Sequence, residues 1–312
     1  MRLVLLGKGG SGKTSVASAY IRFLGARRPV LAIDADVNVH LGDSLGIAST
    51  SPLLGDHFTE IAEALRGDRT DLGARPLIGA TPPARGSRLV KPSFDDALIE
   101  RFGCRRDNIT LLSVGTYTES DIGSSCYHTK LSSLALLMHH MVDGPEDRVV
   151  IDATAGIDNL ATSLSFAYDL NLFVVEPTLK STKVLRDFVE RSAPLNISIA
   201  AIANKVRTRG DLDFIRSQIP EDLLIGVLPD SEDLRQCEKG NHEGFSRFIA
   251  QNASVLEKID TTLKNCPRNW QRYLSSLRQN YQKVCNDWYN TYFKTDMVSN
   301  VDSEFCYPAQ VS

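Results

Sequence analysis

The chain has 312 residues, 42% of them hydrophobic, enough to fill one large α/β domain plus an appendage, or two small domains. Its 35 Lys and Arg nearly balance 38 Asp and Glu, giving a formal net charge of -3. That balance leaves no chain-wide basic field to hold nucleic acid or an anionic membrane, so no nucleic-acid partner is expected.

No run of 18 apolar residues occurs, and the opening stretch Met1 to Leu6 breaks at Gly7, too short for a signal segment. A cytoplasmic protein is expected. The six cysteines form no C-x-x-C pair, which argues against a disulfide framework in a chain of this length.

Taken in chain order, apolar runs of strand length fall at about 2–6, 29–33, 109–114, 147–152, 170–175, 196–203 and 223–228, with helical periods between them. Val149-Val150-Ile151 and Leu172-Phe173-Val174-Val175 are apolar without alternation, as in strands buried on both faces. The expected fold is α/β, a doubly wound and mostly parallel sheet with helices on both faces. Residues 67–92, rich in Gly, Pro and Arg, read as a long surface excursion. After about residue 240 the strand signals stop. Trp270, Leu274, Leu277, Tyr281, Val284, Trp288 and Tyr292 then recur every three or four positions, one apolar face of a helix begun after Pro267. The expected division is a nucleotide-binding unit over 1–245 and a C-terminal helical extension over 246–312, frayed beyond Val298.

Gly7-Lys8-Gly9-Gly10-Ser11-Gly12-Lys13-Thr14 follows the first strand and opens a helix from Ser15 to Leu24. This is the context that the G-x-x-x-x-G-K-[ST] phosphate loop requires. Glycines let backbone N–H groups turn inward around phosphate oxygens, and the helix N-terminus adds partial positive charge. Lys13 would reach the β- and γ-phosphates and the Thr14 hydroxyl would ligate Mg²⁺. The second strand ends in Asp34-Ala35-Asp36, carboxylates at the sheet edge where ligands bind in open α/β folds. A turn-forming pair of aspartates is the competing reading.

Lys8, a second lysine at the start of the loop, resembles the deviant phosphate-loop signature of the MinD/ParA/nitrogenase-iron-protein class of ATPases. The resemblance implies ATP with Mg²⁺, and an ATP-dependent homodimer in which Lys8 touches the nucleotide of the other subunit. It also implies that Asp36 positions the attacking water, that Asp34 and Asp152 serve the Mg²⁺ shell, and that the Gly156 N–H senses the γ-phosphate. The base would lie at the strand ends carrying Asn204, Pro229 and Asp230, although Asn204 also suits a plain turn. Val37 and Thr154 stand where relatives often carry proline.

Gly115 to Lys130, Asp152 to Leu160 and Val175 to Ser181 together look like the CooC family of nickel-insertion accessory ATPases, over about residues 1–240. In that family a C-x-C pair at the dimer interface binds metal; here the segment reads Cys126-Tyr127-His128. In an extended segment Cys126 and His128 would point the same way, and a two-fold interface would offer Cys₂His₂ to Zn²⁺ or Ni²⁺. The competing reading makes Cys126 a small buried side chain and His128 a helix cap. His139 and His140, adjacent on an apolar helix, read as one buried and one interfacial histidine. Two functions follow: an ATP-driven switch in metal loading of a client metalloenzyme, or a MinD/ParA-like positioning ATPase whose terminal helix binds a partner or membrane.

Overall fold

The computed structural model describes residues 1–121, 126–156, 160, 162–238 and 243–308. Eight strands form one sheet: β1 (Arg2–Leu6), β2 (Val30–Ala35), β3 (Cys104–Arg106), β4 (Ile109–Ser113), β5 (Val149–Ala153), β6 (Leu170–Val175), β7 (Ile199–Val206) and β8 (Leu224–Pro229). Their order is β3-β4-β2-β5-β1-β6-β7-β8, with every pairing parallel except the β3–β4 edge. The seven expected strands are all present. The short edge strand β3, with two of its three residues exposed, carries no apolar run and was missed for that reason.

Alternate residues along each strand feed two apolar layers, as the period of two dictates. Leu3, Leu5, Ala32, Val150 and Leu172 face α1 (Lys13–Gly25), and α9 (Gly244–Gln251) and α10 (Ala253–Lys264) complete that layer with Phe248, Leu256, Ile259 and Leu263. Val4, Leu6, Ile33, Ile151 and Phe173 face the other layer. That layer is built on α3 (Phe58–Arg66), α4 (Ala97–Phe102), α5 (Tyr127–His140), α6 (Leu179–Ser192) and α7 (Arg209–Gln218). Two further short helices, α2 (Leu41–Leu45) and α8 (Glu232–Glu238), flank the first layer.

The segment 67–92 is not a surface excursion. Leu72, Leu77, Ile78, Ala84 and Val90 are buried, and the C-terminal extension packs over part of the segment, with Ile78 clustered against Tyr281, Cys285 and Met297. Arg69 donates to the Asn300 carbonyl at 2.8 Å, Arg75 to Ser299 at 2.5 Å, and Arg85 pairs with Asp302 at 2.8 Å. Local composition could not reveal this, because the covering residues lie more than 200 positions away. For the same reason the chain beyond Val298 is not frayed as far as it is described: Phe305 and Tyr307 are buried, and the Tyr307 hydroxyl donates to the His139 carbonyl.

Past α10 the extension continues with α11 (Trp270–Val284), capped by the Asn269 side chain, a π-helical turn at Cys285–Tyr289 and α12 (Asn290–Phe293). The wider turn accommodates one more residue and shifts the helix face by roughly 100°. The stripe therefore does not run straight. Tyr273, Leu274, Leu277 and Tyr281 are buried, but from the π turn on the buried role passes to Cys285, its first residue, and Met297, leaving Trp288 73% and Tyr292 78% exposed. His139 and His140 are both fully buried, so neither is interfacial. The His139 ring bonds Tyr273 at 3.0 Å and Ser163 at 2.8 Å, tying the extension to the segment after β5.

Among the described residues no helix is long and apolar enough to cross a membrane.

Candidate nucleotide site

The loop between β1 and α1 lies at the carboxyl edge of the sheet, bounded by the ends of β2, β5, β6 and β7. Gly12 caps α1 at φ +93°, and a Cβ there would meet the Asn204 amide nitrogen at 2.4 Å, so only glycine fits. Gly7, at φ +144°, passes so close to β6 that a Cβ would lie 2.5 Å from the Val174 carbonyl oxygen. Ser11 is buried and its N–H donates to the Lys8 carbonyl at 3.1 Å, closing the turn through Gly9 and Gly10. Lys13 is buried, and Ser15 follows it half-buried in the first turn of α1.

The Thr14 hydroxyl donates to Asp152 Oδ2 at 2.6 Å. Asp152, next to last in β5, is in register with Asp34 on β2, so two fully buried carboxylates lie side by side. Asp34 accepts the Leu41 N–H at 2.8 Å and the Asp36 N–H at 3.2 Å. Asp152 Oδ1 is buried with no hydrogen-bond partner. Burial pushes both carboxyls up to about 7, with the Asp34 charge adding to the rise of Asp152 and the charges of Asp36 and Asp43 adding to that of Asp34. Paired buried carboxylates, a hydroxyl and an orphaned oxygen are a donor set for a hard divalent cation, so Thr14, Asp34 and Asp152 fit Mg²⁺.

Asp36 lies half-buried past the end of β2, its Oδ1 accepting from the Asn38 N–H at 2.9 Å and the Asn38 amide at 2.8 Å. The Gly156 N–H donates to the Gly7 carbonyl at 3.0 Å, so the segment after β5 is latched directly to the phosphate loop. Asn204 turns its amide inward, donating to the Ser11 carbonyl at 2.8 Å. Pro229 is exposed, and Asp230 beside it is held by Arg207 at 2.5 Å and Arg235 at 3.1 Å.

Two residues of this site escaped the sequence reading. Glu176, at the end of β6, pairs with the Lys8 ammonium at 3.0 Å, so Lys8 is held within its own chain. Lys205, in the left-handed region at φ +58°, donates to the Gly10 carbonyl at 2.6 Å. The irregular register between Ala203 and Val206 marks a break in the β7–β8 ladder, and there Asn204 and Lys205 both hold the same loop. A polar pair closing a strand end and a Glu-Pro step after an apolar run were the available signals.

Cys126 and His128 do not share an extended segment. Cys126 is the N-cap residue of α5 and His128 already lies in its first turn, both exposed. The exposure also removes the reading of Cys126 as a buried side chain. Among the described residues no three His, Cys, Asp or Glu gather as a metal site within one chain. Ile122 to Ser125, Ile157 to Asn159 and His242 lie outside the described residues, so the stretches around the second and third motifs are seen only in part.

A phosphate loop opening a helix, with buried carboxylates on adjacent parallel strands, defines a nucleotide-binding α/β protein. Residues 3–243 match the CobQ/CobB/MinD/ParA nucleotide binding domain, and the chain belongs to that family. Two uncharacterized ATP-binding proteins of Methanocaldococcus jannaschii are similar to it. One is 31% identical over 244 residues, covering 76% of this chain and 88% of its own; the other is 23% identical over 245 residues, covering 76% and 91%. Among solved structures, a plasmid partition protein of Borrelia burgdorferi bound to AMPPNP superposes with a TM-score of 0.58 at 17% identity, over 84% of this chain and 98% of that one. The cell division ATPase MinD of Pyrococcus furiosus gives 0.51 at 19% identity, over 84% and 99%. At these identities the two structures share the fold.

Proposed function

We propose that the protein is a Mg²⁺-dependent ATPase that works as a nucleotide switch. The observation that carries the reading is the Thr14–Asp152 contact beside buried Asp34, at the mouth of a phosphate loop in a chain 31% identical to an ATP-binding protein. In this reading the backbone of Gly7, Gly9, Gly10, Ser11 and Gly12, with Ser15, cradles the phosphates, and Lys13 neutralises the β- and γ-oxygens. Mg²⁺, held through Thr14, Asp34 and Asp152, would supply charge neutralisation on those oxygens. Asp36 orients the attacking water, and the Gly156 N–H reports whether the γ-phosphate is present. Asn204, Pro229 and Asp230 border the base.

The switch would act through a homodimer. Lys8 exchanges its in-chain partner Glu176 for the nucleotide of the second subunit, the role given to the early lysine of the deviant signature. We further propose residues 1–245 as the ATPase unit and 246–312 as a C-terminal extension whose first part, the rest of α9 and α10, completes the sheet's first layer and whose remainder, from α11, packs over the segment 67–92. Lys13→Ala should abolish turnover with the fold intact, and Lys8→Ala should remove ATP-induced dimers in light scattering while each monomer still binds nucleotide. Turnover by Lys13→Ala at the wild-type rate would end the assignment.

A role in metal loading of a client metalloenzyme would draw on Cys126 and His128, both exposed near the start of α5 though not on one extended segment, with a two-fold partner supplying the other ligands for Zn²⁺ or Ni²⁺. Elemental analysis after incubation with either metal and ATP tests it: about half an equivalent per chain, lost in Cys126→Ser, is the expected result. Absence of metal would favour the positioning reading. That reading draws support from Trp288 and Tyr292, presented on the tip of the extension where a partner or a membrane surface could meet them.

A further inference from the structure

Past Gly156 the chain enters a 3₁₀ turn, Ser163–Phe166, whose N-cap Thr162 accepts the Leu164 N–H at 3.3 Å. The turn is built against the extension. Phe166 lies parallel to the buried His139 ring and edge-on to Tyr273 of α11, with centroids 6.5 Å apart in both pairs. Ser163 bonds His139 Nε2 at 2.8 Å, His139 Nδ1 bonds the Tyr273 hydroxyl at 3.0 Å, and Arg2 donates to that hydroxyl at 3.5 Å. The direction of this line is fixed by what each group can give. Among the described residues the Tyr273 proton has His139 Nδ1 as its one acceptor, and burial keeps the ring neutral, so its single proton sits on Nε2 and goes to Ser163. Breaking the line at either end leaves a buried polar atom unpaired, a cost that ties the turn to α11.

The segment leading to the turn is held at its start by the phosphate loop, through the Gly156 N–H on the Gly7 carbonyl at 3.0 Å. Gly156 stands at φ +97° with nothing within 4 Å of the place a Cβ would occupy, so there is room beside this latch for it to open. In the switch reading, on which this inference rests, the γ-phosphate takes the Gly156 N–H and the Gly7 carbonyl gives it up. We propose that the extension responds to the nucleotide: it docks through Ser163, His139 and Tyr273 while the latch is closed, and a bound γ-phosphate, by opening the latch, draws Ser163 off His139 and loosens α11. Tyr273 lies beyond the family match, which ends at 243, so the receiving end of the line is outside the part that the family shares. Coupling between two sites is mutual. If ATP weakens the hold on the extension, cutting that hold tightens ATP binding, and couplings of this kind run to about 5–150-fold.

The test is amide hydrogen exchange across α11 in the full chain, free and saturated with Mg²⁺ and either AMPPNP or ADP, beside the dissociation constant of each nucleotide by calorimetry. AMPPNP should speed the exchange about fivefold and ADP should leave it unchanged, since only AMPPNP brings a γ-phosphate. Tyr273→Phe keeps the ring against Phe166 and Tyr307 but loses the hydroxyl, and Ser163→Ala cuts the other end of the line. In each variant α11 should exchange faster before nucleotide is added and respond less to AMPPNP. Each should also bind AMPPNP about fivefold more tightly than wild type with ADP affinity unchanged, a split that a merely structural loss would not produce. Bound AMPPNP that leaves α11 at its nucleotide-free rate, an equal response to ADP, or variants that respond and bind as wild type does would overturn the proposal and leave the ATPase reading standing. Failure of the wild type to bind either nucleotide would overturn that reading and this inference with it.

Discussion

Replacing Lys205 by methionine keeps the aliphatic stem and removes only the ammonium that holds the Gly10 carbonyl at 2.6 Å. A hydrogen bond from a charged donor is worth about 1.5–3 kcal/mol when buried. The Lys205 side chain is 42% exposed and its second partner, Glu176, is at 3.9 Å, so solvent screening brings the value to about 1 kcal/mol. The bond fixes the loop in the shape that receives phosphates, so its loss appears in the fraction of binding-competent loops and hence in nucleotide affinity. At about 1.4 kcal/mol per tenfold, the dissociation constant for ATP should rise about fivefold, measured by calorimetric titration. Stability should barely move. Lys205→Gly separates strain from contact, because glycine relieves the left-handed backbone at φ +58° while also losing the bond: its Tm should equal or exceed that of the methionine variant, with the same weakened affinity. A methionine variant that binds ATP within twofold of wild type would refute the idea that Lys205 preorganises the loop.

Gly12→Ala should fold poorly at the loop and lose nucleotide binding, since its Cβ would meet the Asn204 amide at 2.4 Å in a backbone at φ +93°; affinity within threefold of wild type would contradict the geometry. Leu277→Ala, a fully buried truncation joining the extension to the core, should cost about 3 kcal/mol in urea unfolding, and a loss under 1 kcal/mol would mean that the extension is loosely attached. His140 makes one contribution to stability that falls on acidification, opposed over the same range by the raised carboxyls of Asp34 and Asp152, so it is read as the difference between wild type and His140→Gln. Burial lowers His140 from 6.5 to about 4, so between those values the unfolded chain takes up a proton that the folded chain refuses. This contribution is complete above about pH 6.5 and should be smaller by about 2 kcal/mol at pH 5, and His140→Gln removes it. An unchanged profile in that variant would remove His140 as the cause.

Most of the sheet was legible because parallel strands buried on both faces write their position as continuous apolar runs, and the phosphate loop because its function needs fixed residue types at fixed spacing. Asp34 and Asp152 were legible from their place at strand ends. What the sequence hid is long-range or irregular. The burial of Ile78 depends on a cover 200 residues downstream, and the exposure of Trp288 and Tyr292 depends on one π turn that no spacing rule anticipates. Glu176 and Lys205 belong to the site only because β6 and β7 bring them over the loop, and neither residue type announces that role. The cap reading placed His128 ahead of a helix that in fact starts at Tyr127, with Cys126 as its N-cap.

The central claim is that the loop from Gly7 to Thr14, with Asp34 and Asp152, binds and hydrolyses ATP. The most direct measurement is phosphate release from ATP with and without Mg²⁺, wild type beside Lys13→Ala and Asp152→Asn. Mg²⁺-dependent turnover is expected in the wild type and none above background in either variant, with all three proteins showing the same far-UV spectrum. Turnover that survives in Lys13→Ala, or that is indifferent to Mg²⁺, would contradict it.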